Sequence, residues 1–210
     1  MIQDLIVDKK NPNLLAAAGR IYKSGAWTMG AFLSSNGGAS WTTVPVGSQK
    51  NSDGCAIARD PSNPDTLYIG GQGGDWKGFL CKSTNGGASW TEITNGIQSG
   101  IVEIAVDPVS PKVVYAATWG APWKSTDGGE SWTVLSAWGV KRLVINPKNP
   151  NEVFAACGHN GVYYSPDKGA TWQVFGSDTE VTNTLCVDFD PASRVLYAGT
   201  FGGGILKRAL

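Results

Sequence analysis

The chain has 210 residues, which is enough for one domain with a sizeable hydrophobic core. Its 17 Lys and Arg balance its 17 Asp and Glu, so the charge predicts neither a nucleic-acid partner nor a membrane partner. Only 16% of the residues are charged, whereas 28 are glycine and 11 are proline. This composition favours many short strands joined by tight turns over helices.

The N-terminal segment and the cysteines bear on location and cofactors. Charges interrupt the apolar residues of MIQDLIVDKKNP, so we predict no signal peptide there, and extracellular and cytoplasmic locations both stay open. The chain has four cysteines without a Cys-x-x-Cys pair, and one histidine. We therefore predict small buried thiols, no metal and no cofactor, with a disulfide left open. The cysteines are Cys55, Cys81, Cys157 and Cys186.

In chain order, five segments repeat the pattern of a strand end, a turn and a second strand with alanine or glycine near its end. They are VDKKNPNLLAAAG from Val7, RDPSNPDTLYIGG from Arg59, VDPVSPKVVYAAT from Val106, INPKNPNEVFAAC from Ile145 and FDPASRVLYAGT from Phe189. A unit of about forty to fifty residues has the length of four short strands and their turns. The repeat predicts an all-β fold, a β-propeller of about five four-stranded antiparallel blades.

We predict one domain over residues 1–210, with blades at approximately 1–51, 52–98, 99–139, 140–182 and 183–210. The last blade lacks its outer strand, because the sequence stops after the third strand of that unit. Three explanations stay open: a five-bladed ring with a three-stranded last blade, a larger ring made by two chains as a homodimer, or a part of a longer protein.

An eight-residue phrase occurs four times, as SSNGGASW, STNGGASW, STDGGESW and SPDKGATW. Its Asn or Asp can accept amide hydrogens of its own turn, its second glycine suggests a positive φ, and its tryptophan is predicted to pack between blades. Trp132 should therefore matter more to stability than Asp127. The structural residues of the phrase are Ser34, Asn36, Gly38, Trp41, Ser83, Asn85, Gly87, Trp90, Ser125, Asp127, Gly129, Trp132, Ser165, Asp167, Gly169 and Trp172.

The spacing Ser-x-Asp-x-Gly-x-Ser/Thr-Trp resembles the Asp-box, or BNR, repeat family. That family includes sialidases, xyloglucan-hydrolysing enzymes, sortilin-type receptors and a photosystem II assembly factor. The resemblance implies a propeller whose boxes lie at blade edges, away from the ligand face, and it leaves the function open. Sialidase chemistry looks absent, because none of the five arginines lies in that family's arginine motif.

Several aromatic side chains fall outside the phrase, in the connections that form the ligand face of propellers. Trp27, Trp76, Trp119 and Trp138 are our candidates for stacking on sugar rings, with Trp76 beside Asp75 favoured. The alternative is that these indoles cover the core between blades. Trp123 lies in the same connections. His159, in GHNG, is a further ligand candidate, with a solvated loop histidine as the alternative.

A ring of first-strand residues forms the other candidate site. Four positions before the strand-ending Asp-Pro pattern stand Asp4, Ala56, Glu103, Arg142 and Cys186. If this register faces the central channel, two carboxylates and one guanidinium line it, and Arg142 becomes a ligand candidate. A structural ion pair is the alternative. The catalytic candidates for a glycosidase pair are Asp4, Glu103, Asp75 and Asp53, although their spacing marks no pair.

From these observations we predict a propeller that binds a glycan or related ligand through loop aromatics, without established catalysis. A protein-interaction or assembly scaffold that holds a peptide is the first alternative. A glycoside hydrolase related to the sialidase and xyloglucanase propellers is the second.

Overall fold

The described chain folds into antiparallel sheets and contains no helix. The structure is a computed structural model, and it describes residues 1–23, 25–47, 52–137, 139–175 and 183–210. No helix within these ranges is therefore long and apolar enough to cross a membrane. The five sheets follow one another along the sequence, and each is built from strands in simple up-and-down order.

The first two sheets each have four strands. They are β1 (Ile2–Val7), β2 (Leu15–Lys23), β3 (Ala26–Ser34) and β4 (Thr42–Pro45), then β5 (Asp53–Arg59), β6 (Leu67–Gln72), β7 (Gly78–Ser83) and β8 (Thr91–Glu92).

The third and fourth sheets also have four strands, and the fifth has three. They are β9 (Ile101–Val106), β10 (Val114–Thr118), β11 (Trp123–Ser125) and β12 (Thr133–Val134); β13 (Arg142–Ile145), β14 (Val153–Ala156), β15 (Val162–Ser165) and β16 (Gln173–Val174); and β17 (Thr184–Asp190), β18 (Val195–Thr200) and β19 (Gly204–Ala209). The predicted all-β propeller of about five blades, the last without its outer strand, is confirmed.

Four apolar clusters lie between consecutive sheets and hold them face to face. Small residues of the second strands, such as Ala18, Ala116 and Ala155, are fully buried. Because these side chains are short, neighbouring sheets approach closely there, while larger side chains such as Leu80 on the third strand β7 fill the space beside them. Contacts between strands connect each sheet to the next, from the first to the fifth.

The four copies of the eight-residue phrase form the same turn, between the third and fourth strands of the first four sheets. We call these segments (34–41, 83–90, 125–132 and 165–172) the repeat turns. In the third copy, Ser125 Oγ donates to Asp127 Oδ1 (2.7 Å) and accepts from the Gly129 amide (2.8 Å). The Ser131 amide donates to Asp127 Oδ1 (3.0 Å). Gly129 has a φ of +97°, so a side chain there would strain the backbone.

The tryptophan that ends each repeat turn packs onto the preceding sheet where there is one. Trp90, Trp132 and Trp172 join the clusters between the first and second, second and third, and third and fourth sheets. Trp41 belongs to the first sheet, whose outer face none of the described sheets covers, and it is 42% exposed. The expectation that every copy packs between blades is therefore wrong for Trp41.

The cysteines are all unpaired. Cys81 and Cys157 are buried and Cys55 is half-buried, but Cys186 is exposed, so the prediction of buried thiols fails for Cys186. Its strand β17 belongs to the last sheet, whose outer face no described sheet covers, and Cys186 lies on that face. Within the described ranges, no group of three or more His, Cys, Asp or Glu side chains is arranged to hold a metal ion.

Candidate functional site

The connections between the second and third strands lie at the end of the sheets opposite the repeat turns, because the strands alternate in direction. We call this end the loop face. Contacts between neighbouring sheets show that they share it. Arg20, late in β2, pairs with Asp53 at the start of β5 (3.2 Å), and Gln72, at the end of β6, contacts Trp119 after β10.

Trp27 lies near the start of β3, in the hairpin that rises from the first sheet. It is 42% exposed. The Arg20 guanidinium lies 5.0 Å from its ring centroid, and Tyr22 packs against it edge-on at 5.3 Å. Arg20 is fixed in turn by Asp53. The indole is therefore held in place on one side and open to solvent on another.

Trp76 lies at the tip of the tight connection between β6 and β7 and is 71% exposed. Its φ is +65°, which is unusual for a residue with a side chain. The turn is closed because the Trp76 amide donates to the Gly73 carbonyl (3.0 Å) and the Gly73 amide donates to the Lys77 carbonyl (2.9 Å). Asp75 accepts from the Lys77 amide and pairs with its ammonium at 3.4 Å, and these contacts lower the pKa of Asp75.

Trp119 follows β10 and is 56% exposed. Its Nε1 donates to Gln72 Oε1 of the second sheet (3.1 Å), and the Lys141 ammonium lies 4.7 Å from its ring centroid. Trp119 therefore bridges three consecutive sheets. Gln72 and Lys141 were not among the candidates, because their role depends on contacts between sheets that the sequence does not indicate.

The remaining candidates on the loop face have different surroundings. His159 is exposed in the connection between β14 and β15. Trp123 begins β11 and packs into the cluster between the second and third sheets, which agrees with the core alternative for that residue. Trp138 lies outside the described residues. Phe201, after β18, is 73% exposed and was also not a candidate.

The five first-strand residues of the second candidate site occupy the same register. Each pairs with a small residue of the second strand, namely Ala18, Gly70, Ala117, Ala156 and Gly199 for Asp4, Ala56, Glu103, Arg142 and Cys186. Arg142 Nη1 forms a close ion pair with Glu103 Oε2. Together with Asp4 they line a cleft of about 570 Å³ between the first strands.

Burial dominates the titration of Glu103 and raises its pKa to about 7. Attraction to Arg142 opposes the rise, and the nearby carboxylate of Asp4 adds to it. Asp4 itself is engaged by the backbone, since its Oδ2 accepts from the Ile57 amide (3.0 Å) and its Oδ1 accepts from the Leu5 amide (2.9 Å). A protonated carboxyl at neutral pH can act as a general acid. The cleft therefore brings together two of the four catalytic candidates.

The other two catalytic candidates lie elsewhere. Asp53 pairs with Arg20 beside Trp27, and Asp75 pairs with Lys77 beside Trp76. Neither lines the cleft of Glu103. These two carboxylates therefore accompany the exposed indoles on the loop face.

Comparison with known proteins supports the fold and gives a partial likeness in sequence. No protein-family profile matches the chain. A probable oligoxyloglucan-reducing end-specific xyloglucanase from Neosartorya fischeri is 34% identical over 77 residues, or 33% of this chain. A xyloglucanase from a Paenibacillus species is 36% identical over 98 residues, or 36% of this chain. Each match covers only 9% of the relative's own length.

Solved propellers cover nearly the whole chain. An ancestral GH74 enzyme covers 94% of it with a TM-score of 0.75 at 24% identity, and the match spans 27% of that enzyme. A structure of YCF48 bound to a D1 peptide covers 98% with a TM-score of 0.70 at 17% identity, spanning 62% of that protein. The chain thus has the fold of these propellers, and over about a third of its length it resembles xyloglucanases in sequence.

Proposed function

We propose that the chain binds a neutral polysaccharide on its loop face through Trp27, Trp76 and Trp119. The observation that carries this proposal is that three consecutive sheets each present an indole on one face, and none of the three is used in the core clusters. Large aromatic side chains that are exposed together on one surface of a folded protein are typical of a binding site.

The surroundings of the indoles suit sugar rings. An aromatic face stacks on the C–H face of a sugar, while side chains at its edge bond to hydroxyls. Trp27 and Trp119 are held by Arg20 and by Gln72 with Lys141, so little conformational entropy is lost on binding. The charges beside the indoles have both signs, which favours a neutral ligand over an acidic one.

Xyloglucan is the polysaccharide that we propose to test first, because the two relatives that resemble this chain in sequence are named as xyloglucanases. Binding is measured as retardation of the chain in native gels that contain xyloglucan. The reference is a gel that contains an acidic polysaccharide such as pectin. We expect retardation by xyloglucan alone. Trp76→Ala and Trp119→Ala should each weaken binding about tenfold, which is the effect of about 1.4 kcal/mol.

Trp41→Ala is the matched control for Trp27→Ala. Both tryptophans belong to the first sheet and both are 42% exposed, but Trp41 lies in a repeat turn at the opposite end of strand β3. We expect Trp41→Ala to leave retardation unchanged. Equal losses for the two variants would contradict a site on the loop face. Capture of a peptide without retardation by any polysaccharide would support the scaffold role instead.

We propose hydrolysis of a glycan held in the cleft of Glu103, which is separate from the loop-face site, as a second candidate function, because Glu103 lies in that cleft and its pKa is raised to about 7. In this reaction Glu103 would protonate the glycosidic oxygen, and Asp4 would be the second carboxylate. The release of reducing ends from xyloglucan measures this hydrolysis. Glu103→Gln should abolish the release while retardation in gels is kept, and equal activity in the variant would exclude this role.

We also propose that the chain is a member of the Asp-box, or BNR, repeat family. Support comes from the repeat turns, in which the first serine hydroxyl accepts from the amide of the glycine at the fifth position at 2.7–2.9 Å in all four copies. The Asn or Asp at the third position accepts from the amide four residues later in each copy, at 2.8–3.0 Å.

A further inference from the structure

A paired tyrosine and lysine of the second sheet hold the repeat turn of the third sheet. Tyr68 on β6 and Lys82 on β7 lie directly opposite each other. The Tyr68 hydroxyl donates to the Gly128 carbonyl (3.3 Å), and Lys82 Nζ donates to the same oxygen (2.9 Å). The ammonium also lies 5.5 Å from the tyrosine ring centroid. We call such a pair a carbonyl clamp.

The third and fourth sheets repeat this arrangement. Tyr115 on β10 lies opposite Lys124 on β11. The tyrosine hydroxyl and the lysine ammonium both donate to the Lys168 carbonyl, at 3.0 and 2.8 Å. Gly128 and Lys168 occupy the same position of their repeat turns, one residue before the second glycine. Because the clamp binds a main-chain oxygen, it accepts a turn whatever side chain stands at that position.

The clamp does not occur at the other two interfaces between sheets. On the fourth sheet the paired residues are Phe154 and Tyr164, and Phe154 stacks on Phe189 of the fifth sheet, which has no repeat turn. On the first sheet the pair is Ala16 and Leu33, and Leu33 lies against Gly87 of the next turn. The clamp therefore occurs at two of the three described interfaces at which the next sheet presents a repeat turn.

The fifth sheet carries the clamp pair again, on its outer face. Tyr197 on β18 lies directly opposite Lys207 on β19. Tyr197 is 39% exposed, and neither side chain has a hydrogen-bond partner among the residues that the structure describes. Ile205, at the position that Leu80 and Val162 occupy in buried clusters, is 78% exposed on the same face. This face therefore has the residues of an interface between sheets, and none of the described sheets covers it.

The first sheet presents the matching surface on its own outer face. Its repeat turn contains Gly37, at the same position as Gly128 and Lys168, and the Gly37 carbonyl has no donor within the described ranges. Leu5 and Val7 of β1 are about half exposed on this face. A free repeat turn and a free carbonyl clamp thus lie at the two open faces of the same chain.

We propose that the outer face of the fifth sheet binds the first sheet of a second copy of this chain, head to tail. Tyr197 and Lys207 of one copy then donate to the Gly37 carbonyl of the other, as the two internal clamps do. Such a contact is heterologous, because the two copies use different surfaces, so it closes into a ring or extends into an open chain of copies. The inference is independent of the loop face and of any ligand there.

Sedimentation velocity over a range of concentrations tests the proposal. We expect the wild-type chain to associate. The double variant Tyr197→Phe/Lys207→Met should weaken association at least tenfold, and so should Leu5→Glu/Val7→Glu on the opposite face. Matched controls are Lys112→Met and Val109→Glu, which change an exposed lysine and an exposed valine of the third sheet. Both controls should associate as the wild type does.

Mixing the two double variants gives the decisive result. The clamp variant keeps an intact first sheet, and the first-sheet variant keeps an intact clamp, so an equimolar mixture should form one-to-one dimers that do not grow further. Far-UV circular dichroism of each variant checks that it is folded. Association should also slow the alkylation of Cys186, which lies on the clamp face. A wild-type chain that stays monomeric up to about 1 mM, or a mixture that stays monomeric, would overturn the proposal.

Discussion

Replacing Trp132 by alanine tests how the repeat turns stabilise the fold. The indole packs into the cluster between the second and third sheets, and its Nε1 donates to the Ile93 carbonyl at 3.0 Å. Burying most of an indole, roughly 150 Å² at about 25 cal/mol per Å², contributes about 4 kcal/mol. The hydrogen bond adds about 1 kcal/mol. We therefore expect Trp132→Ala to lower the free energy of unfolding by about 3–5 kcal/mol, as large-to-small core substitutions do.

Trp41→Ala is the control, because Trp41 ends the same kind of turn but packs on no other sheet among the described residues. Its Nε1 donates only within its own turn, to the Gly38 carbonyl at 3.0 Å. Both variants lose one indole, so their effects on the unfolded chain are similar. We expect the loss for Trp41→Ala to be no more than about half of that for Trp132→Ala.

Urea unfolding followed by far-UV circular dichroism measures both losses, since it does not depend on tryptophan emission. The midpoints should move while the slope stays the same. Equal losses for Trp41→Ala and Trp132→Ala would refute the argument that the stabilisation comes from packing between sheets. They would indicate that the indole acts through its own turn.

Three further predictions follow from burial and backbone geometry. Burial raises the pKa of Glu103 from 4.5 to about 7. As the pH rises through that interval, the free energy of unfolding of the wild type should therefore fall by up to about 3 kcal/mol. Glu103→Gln should lack this fall in unfolding titrations. Gly129→Ala should cost more stability than Gly96→Ala: both glycines have φ above +90°, but an added Cβ would lie 2.4 Å from a neighbouring side chain at Gly129 and in open space at Gly96. In the folded monomer a thiol reagent should modify exposed Cys186 quickly, while Cys81, whose pKa burial raises to about 12, should react only after unfolding.

Each of these three predictions has an outcome that would contradict it. A stability profile of Glu103→Gln that is parallel to the wild type would show that another group titrates. Equal losses at Gly129 and Gly96 would show that the backbone conformation alone sets the cost. Rapid modification of Cys81 under native conditions would show that the cluster between the first and second sheets opens readily.

The fold could be predicted because its determinants are local and repeated. Most strands contain β-branched residues, and each repeat turn closes through hydrogen bonds within about four residues, as between Ser125 and Gly129. The register of the first strands could be aligned from the sequence, and Asp4, Glu103 and Arg142 do share it. The alignment could not say that Glu103 and Arg142 would pair, since 39 residues separate them.

What the sequence could not reveal depends on which sheet lies next to which surface. Trp41 and Trp132 end nearly identical phrases, yet one is 42% exposed and the other packs on a neighbouring sheet. The carbonyl clamp likewise joins Tyr68 to a turn 60 residues away. A tyrosine opposite a lysine is an ordinary pair on a strand, so nothing in the sequence distinguishes a clamp from a solvent-exposed pair.

The two ends of the sheets are under different constraints, and this difference decides where specificity can vary. The repeat turn of the third sheet uses the Trp132 indole and the Gly128 carbonyl to hold the second sheet, so a change there costs stability before it can alter binding. Trp76 on the loop face has no such duty, because it contributes to none of the clusters between sheets. Replacing its side chain should therefore cost the fold little. The same stack of sheets can therefore present different aromatic surfaces, which is why the likeness to other propellers shows the fold and leaves the ligand open.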